Sequence, residues 1–203
     1  TRTANIRKLD YVYWSSPVAN FSVNNISPGT TGFKYKWTPT ISGNVNGFGN
    51  WTTANEAMVQ GKGYIVRGPD SYTTTLAPFN AVFTGTPNNG TITTPISRGN
   101  WNGGTYATGV STTLGTNNDD NWNLIGNPYP SAIDAIDFLS LNTNIDGFIN
   151  VWTHGTLPSS AIVDPFYNDY VYNYTVGDYI TYNGSGVSSG PGTFGGYIGA
   201  GQG

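Results

Sequence analysis

Hydrophobic and polar positions along this chain alternate in short runs, and the runs are cut by Gly, Pro and Asn. "YVYWSSPV", from Tyr11, opens with aromatic and β-branched residues and halts at Pro17. "FKYKW", from Phe33, alternates aromatic residues with Lys, the pattern of a half-buried strand with one wet face. "GYIVRG", from Gly63, is short, apolar and bounded by glycines. "AVFTGTPNNGTITTPI" (residues 81–96) reads as a hairpin turning at Pro87 to Gly90, where Asn and Gly tolerate positive φ. "DYVYNYTVGDYITYNG" (residues 169–184) reads as a second hairpin around Val176, Gly177 and Asp178.

The period changes only twice. In "SAIDAIDFLSL" Ser131 and Asp134 stand at capping-box spacing, and Ile133, Ile136 and Leu139 share one face. "TTANEAMVQG" is a shorter candidate helix, with Thr53 and Glu56 in the box and Gly61 as the stop. The stretch "NWNLIGNPYPSAID" (residues 121–134) therefore predicts a strand at 122–125 that runs into a helix. Pro128 and Pro130 lack the N–H a ladder needs, so they end the strand.

An order of Trp, Pro, Trp and Gly-x-Gly occurs twice. Trp14, Pro17, Trp37 and Gly61-Lys62-Gly63 form the first set; Trp122, Pro128, Trp152 and Gly201-Gln202-Gly203 form the second. The expected architecture is all-β: an antiparallel β-sandwich, jelly-roll-like, of two related halves with one or two short helices. Residues 1–98 make the first half and 99–203 the second, packed as one unit. Under this duplication the copy of "YIVRG" would begin after Gly203, and the chain reads as a mature protein or a fragment.

At 203 residues such a fold can bury a real core. Charged residues are only 9%, against about 25% in ordinary domains. Disordered chains, however, are poor in aromatics, and 14% of this one is aromatic. The eight basic residues are scattered and net charge is −3, so no basic stripe exists for a phosphate backbone and no nucleic acid is expected. No apolar run approaches the roughly 18 residues of a membrane-spanning helix. Absence of cysteine removes disulfides, thiol catalysis and thiolate metal sites.

"YVYWSSPV", "GKGYIVRGP", "FTGTPNNGTIT", "NWNLIGNPYPSAID", "DGFINVWTH" and "GYIGAGQG" resemble a recurring region of large secreted surface proteins of Bacteroidetes. Those proteins are exported by the type IX (gliding-associated) secretion system. The likeness spans residues 11–203, in order. It implies a β-rich module upstream of a C-terminal sorting domain, and an extracellular or cell-surface bacterial location rather than an assigned activity.

Candidate chemistry is sparse. His154 is the only histidine and lacks a GxSxG nucleophile elbow, so it reads as a structural hydrogen-bonder beside Trp152. Asp134 and Asp137 read as a cap and a solvated neighbour rather than a glycosidase pair. Asn142, Asn144, Asp146 and Gly147 match the opening of a calcium loop, without its closing Glu; Asp119 and Asp120 could add carboxylates. The alternative for that loop is an Asx turn. Trp37, Trp51, Trp101, Tyr170 and Tyr172 are candidates for stacking on sugar rings, whereas Trp14, Trp122 and Trp152 belong to strands and a core.

The function expected is a non-enzymatic extracellular module, an adhesin or structural part of an exported protein. Its partners would be other surface chains or glycans, including its own copies through β-edge pairing. The alternative is a carbohydrate-binding module attached to a secreted hydrolase.

Overall fold

The structure is a computed structural model and describes residues 1–42, 48–97, 122–153, 155–162, 175–189 and 194–203. Its strands are β1 (Arg2–Ile6), β2 (Tyr11–Trp14), β3 (Lys34–Ser42), β4 (Phe48–Thr53), β5 (Tyr64–Arg67) and β6 (Ala77–Ala81). Later in the chain come β7 (Ile133–Asp134), helix α1 (Ala135–Leu141), β8 (Phe148–Trp152), β9 (Tyr179–Asn183), β10 (Gly186–Ser189) and β11 (Tyr197–Ile198). All described ladders are antiparallel. The largest sheet has the order β2-β5-β3-β4; a second has β10-β9-β8; β1-β6 and β11-β7 are two-stranded. The protein is all-β, as the alternating runs predict, with one short α-helix among the described residues.

The runs at Tyr11, Phe33 and Gly63 become β2, β3 and β5, and β5 lies between the other two. Central placement explains why "YIVR" reads as nearly continuous apolar sequence: Tyr64, Ile65 and Val66 are all buried. The wet face expected of β3 is only partly wet. Lys34 is 7% exposed, and its ammonium donates to the Thr30 carbonyl. Burial pushes its pKa down, against the pull of Asp70.

Two expected elements are built differently. Residues 82–97 form no hairpin; β6 ends at Ala81, and Pro87 makes one bridge to Val18. The polar groups of this run bond outward instead: Thr94 Oγ1 donates to Gln60 O at 3.2 Å, and Ser97 exchanges bonds with Asn123. Residues 54–60 form no helix, because Val23 N donates to Glu56 O and Met58 N to Phe21 O. That backbone is spent on a neighbouring loop. The first strand of the hairpin expected around Val176, Gly177 and Asp178 falls on residues 169–174, which lie outside the described ones; Val176–Asp178 form a 3-10 turn leading into β9, and β9 pairs with β10 through a turn at Gly184 and Ser185, where Asn183 Oδ1 accepts from Ser185 N at 3.0 Å.

The helix after Pro130 exists but starts at Ala135. Asp134, not Ser131, caps it, accepting from Ile136 N at 2.8 Å and Asp137 N at 3.1 Å. Ile133 and Asp134 are first used in the ladder to β11. The inward residues are Ala135 and Leu139, while Ile136 is 47% exposed.

Three apolar clusters hold the fold. The first is built from β2, β5 and the loops around Phe21 and Met58, with Trp14, Tyr64 and Val66 at its centre. The second joins Tyr13 and Ile65 to Trp152, with Leu124 and Tyr179 against them, so it spans both ends of the chain. The third lies under α1, around Ala135, Leu139 and Tyr182.

Candidate functional site: the aromatic seam

The second cluster is a seam between the early and late parts of the chain. It exists because β2, an edge of the four-stranded sheet, is nevertheless covered on both faces: Val12 and Trp14 point into the first core, and Tyr13 points into the seam. The Tyr13 ring stacks on Trp152 at 5.7 Å and 19°. Trp51 and Tyr179 approach the same ring at 6.0 and 6.4 Å. The Tyr13 and Tyr179 hydroxyls meet at 2.5 Å, so the polar tips of both rings are satisfied inside.

Two indoles bind across the seam in opposite senses. Trp152 Nε1 donates to Tyr11 O at 2.6 Å, and Trp37 Nε1 donates to Trp122 O at 2.8 Å. The two Gly-x-Gly motifs do the same. Gly63 N donates to Leu124 O at 3.0 Å, and Gly203 N donates to Tyr13 O at 3.3 Å. Gly126 N donates to Gly61 O at 3.0 Å, and Ser15 N to Gly201 O at 2.8 Å. Each motif thus clamps the strand-like segment that precedes the opposite Pro. Glycine is required here by close approach: a Cβ on Gly203 would lie 2.8 Å from Trp14 N.

Arg2 closes one end. Its Nη1 donates to Tyr13 O at 2.8 Å and to Gly201 O at 3.0 Å, and its guanidinium lies 4.7 Å from the centre of the Trp14 ring. Burial pushes its pKa down to about 10, which leaves it charged at neutral pH.

The buried acids serve turns. Asp10 accepts from Arg7 N and Nε, both at 2.8 Å. Asp178 accepts from Thr156 N at 2.7 Å and Thr175 N at 3.1 Å. The buried amides tie loops: Asn88 Nδ2 donates to Ser16 O and Pro128 O, and Asn127 Nδ2 to Ser131 O and Ile198 O. Composition gave no sign of Asn88. Asn127 did carry a signal, because Asn before Pro is a turn former, and its Oδ1 accepts from Tyr129 N at 2.8 Å.

Beside the seam, Glu56 links Lys36 Nζ at 2.5 Å with Tyr64 Oη at 3.0 Å. Burial alone would raise the Glu56 pKa, but bonds from Lys36 and Tyr64 outweigh it and hold the carboxyl below its usual range. Burial, with the Glu56 charge, pushes the Tyr64 phenol up to about 12, against a bond from Val59 N–H. The folded state therefore holds the phenol proton more tightly than the unfolded chain does. The stability this contributes is complete below pH 10 and disappears as pH climbs from 10 through 12. Glu56 contributes in the opposite sense, above about pH 4.5, and loses its share on acidification. Melting curves of wild type and Tyr64→Phe from pH 8 to 12 check this: the variant starts less stable and declines less steeply at the alkaline end.

The indole exchange makes a second prediction. Trp37→Phe and Trp152→Phe each leave a carbonyl without its donor, at Trp122 and Tyr11, and each should cost about 1–2 kcal/mol. Urea unfolding of the single and double variants measures both costs and their coupling.

The residues singled out for binding do not converge. Trp37 and Trp51 meet edge to face, at 5.2 Å and 73°, both half-buried, so they are not a coplanar row for a sugar. The Trp37 ring also covers Gly49, where a Cβ would sit 2.3 Å from it. Asn142 closes α1, its Nδ2 donating to Phe138 O at 2.7 Å, while Asn144 and Asp146 are exposed. Asn142 O accepts from Ile145 N at 3.2 Å, which makes this loop a turn. Among the described residues no three His, Cys, Asp or Glu gather as metal ligands. Trp101, Asp119, Asp120, His154, Tyr170 and Tyr172 lie outside the described residues.

The matched seam runs through nearly the whole length of the chain, and so does a family likeness. Residues 1–203 match a family described as Domain of unknown function (DUF8693). The chain belongs to that family. No curated protein and no solved structure is significantly similar to it. No described helix is long and apolar enough to cross a membrane.

Proposed function

We propose that this DUF8693 domain is a non-enzymatic scaffold on the outside of a bacterial cell, an adhesive or structural module of an exported protein. The observation that supports this reading best is how the polar and aromatic groups are used. Asp10, Asp178, Asn88 and Asn127 are buried and bonded to loop backbone. Trp37 and Trp152 spend their N–H groups on cross-chain carbonyls. These six side chains are thus committed to holding a shape. Low charge, with hydroxyls and amides supplying solubility, suits a stable exported β-module, and the motif likeness to type IX-exported Bacteroidetes proteins points the same way.

The test is location and task in the native organism. Protease shaving and antibody labelling of intact cells should reach the domain, and deleting it should reduce attachment or surface-layer integrity. Recovery of the domain in the cytoplasm, protected from protease until lysis, would sink the reading. A glycan array separates the carbohydrate-binding alternative: saturable binding lost in Trp37→Ala or Trp51→Ala would replace the scaffold role by that one.

A further inference from the structure

Residues 88–90 form a short loop that is fastened on both sides of an exposed Asn89. Upstream, Asn88 N donates to Pro17 O at 2.9 Å, and Asn88 Nδ2 donates to Ser16 O at 3.0 Å and Pro128 O at 2.9 Å. Gln60 Nε2 donates to Asn88 Oδ1 at 2.7 Å. Downstream, Tyr129 Oη donates to Gly90 O at 2.7 Å. The loop therefore ties Ser16 and Pro17, early in the chain, to Pro128 and Tyr129, late in it. Asn89 turns its own carboxamide onto the next peptide: Gly90 N donates to Asn89 Oδ1 at 2.8 Å. Gly90 has a φ of 77°, and a Cβ there would meet nothing within 4 Å, so that nitrogen is neither shielded nor crowded by its residue.

A backbone nitrogen held against the preceding carboxamide is the starting geometry for imide closure. Fixing the reacting groups together replaces a conformational search by a preset approach. The chain has four Asn-Gly pairs, beginning at Asn46, Asn89, Asn102 and Asn183. Asn46 and Asn102 lie outside the described residues. Asn183 has the same neighbour as Asn89 in sequence and a different setting in the fold. It ends β9, paired with Phe148 on one side and Gly186 on the other, so two ladders hold its backbone in a strand. Its Oδ1 accepts from Ser185 N at 3.0 Å and Ser185 Oγ at 2.7 Å, which turns the carboxamide toward residue 185.

We infer that Asn89 is a self-modification site, where the folded domain converts an amide to an acid with water as the co-reactant. Gly90 N, on losing its proton, attacks Asn89 Cγ. The N–Cγ bond forms, the Cγ–Nδ2 bond breaks and ammonia leaves, giving a five-membered imide. Water then opens the ring at either carbonyl. Cleavage of N–Cγ gives aspartate. Cleavage between Gly90 N and the main-chain carbonyl carbon of residue 89 gives isoaspartate, whose backbone runs through Cβ and Cγ. No electrons are exchanged at either step. The fastenings give the second product a structural consequence. Its backbone is one carbon longer between Asn88 and Gly90, and both of those residues are tied down. One set of ties must yield, either Tyr129 to Gly90 O or Asn88 to Ser16 and Pro128. Aspartate keeps the chain length and adds only a charge at an exposed position. Ageing thus turns a fastener between early and late parts of the chain into a looser, more acidic loop.

The experiment ages the whole protein in mildly alkaline buffer, folded and in urea, and follows Asn89 and Asn183 by peptide mapping that separates aspartate from isoaspartate. In the fold, Asn89 should convert at least about tenfold faster than Asn183. In urea, where only the shared Asn-Gly sequence acts, the two rates should agree within about threefold. Aged folded wild type should then melt about 2–4 °C lower than fresh protein. Asn89→Gln, which would have to close a six-membered ring, should keep its Tm through the same ageing. Fresh Asn89→Asp should melt within about 1 °C of fresh wild type. Folded Asn89 that converts no faster than Asn183 overturns the proposal. So does an aged wild type that carries isoaspartate at position 89 and keeps its Tm. An aged Asn89→Gln, or a fresh Asn89→Asp, that melts as low as the aged wild type overturns it too.

Discussion

Replacing Gly126 by alanine is expected to destabilise the protein by at least about 3 kcal/mol, a fall in Tm of roughly 6–12 °C. A Cβ there would lie 2.5 Å from Gln202 O, 2.6 Å from the Ser15 Cβ and 2.7 Å from the Gly203 Cα. Two of those atoms belong to backbone that is itself hydrogen-bonded across the seam: Gln202 O accepts from Asn127 N at 2.7 Å, and Gly203 N donates to Tyr13 O at 3.3 Å. Neither can withdraw without breaking the exchange. Ser15 and Gly126 occupy matching positions that face one another, so only one of the two can carry a Cβ. Gly184→Ala is the internal control, since a Cβ at Gly184 meets nothing within 4 Å. It should stay within about 0.5 kcal/mol of wild type. Thermal and urea unfolding of the two variants side by side decides; equal stabilities would mean that the seam is not closed as described.

Trp14→Ala is the second large effect, with an expected loss of about 3–5 kcal/mol. Trp14 is 1% exposed. Its ring packs edge-on to Phe79 at 5.8 Å and against Phe83 at 6.4 Å, and Arg2 covers its face at 4.7 Å. Truncation removes the ring's burial, opens a cavity between β2 and β6, and leaves a buried guanidinium without its π partner. Urea unfolding should show the loss with little change in m-value. Leu141→Ala, at a side chain 82% exposed, should cost almost nothing. A Trp14→Ala loss below about 1 kcal/mol would mean that the first core does not centre on this ring.

Much of the scaffold was readable before folding. β2, β3 and β5 announce themselves by aromatic and β-branched residues between Gly and Pro, because a strand buried on one or both faces needs that composition. The corner after Pro130 was equally plain, although its cap moved from Ser131 to Asp134. A helix begins only after the backbone's prior obligations end, and Ile133 and Asp134 were committed to β11 sixty-odd residues away. The same logic removed two expected elements. Residues 54–60 have helical spacing, and 81–96 have a hairpin's turn residues, yet both bond to distant loops. Periodicity reports which residues seek burial and cannot report which partner reaches them first.

The candidate binding residues show the limit more sharply. Trp37 and Trp51 have the composition of a sugar platform, and only the fold turned one edge to face on the other. Asn142 has the composition of a cation ligand, and only the helix end beside it engaged its amide.

By itself the sequence determined the class of structure: alternation and turn residues act over a few neighbours, so all-β character and the repeated Trp, Pro and Gly-x-Gly order were local facts. Tertiary structure alone decided that each repeat closes on the other rather than on itself. A carbonyl such as Tyr11 O or Trp122 O is chemically the same in any strand, and only the meeting of the two halves selects the indole that satisfies it.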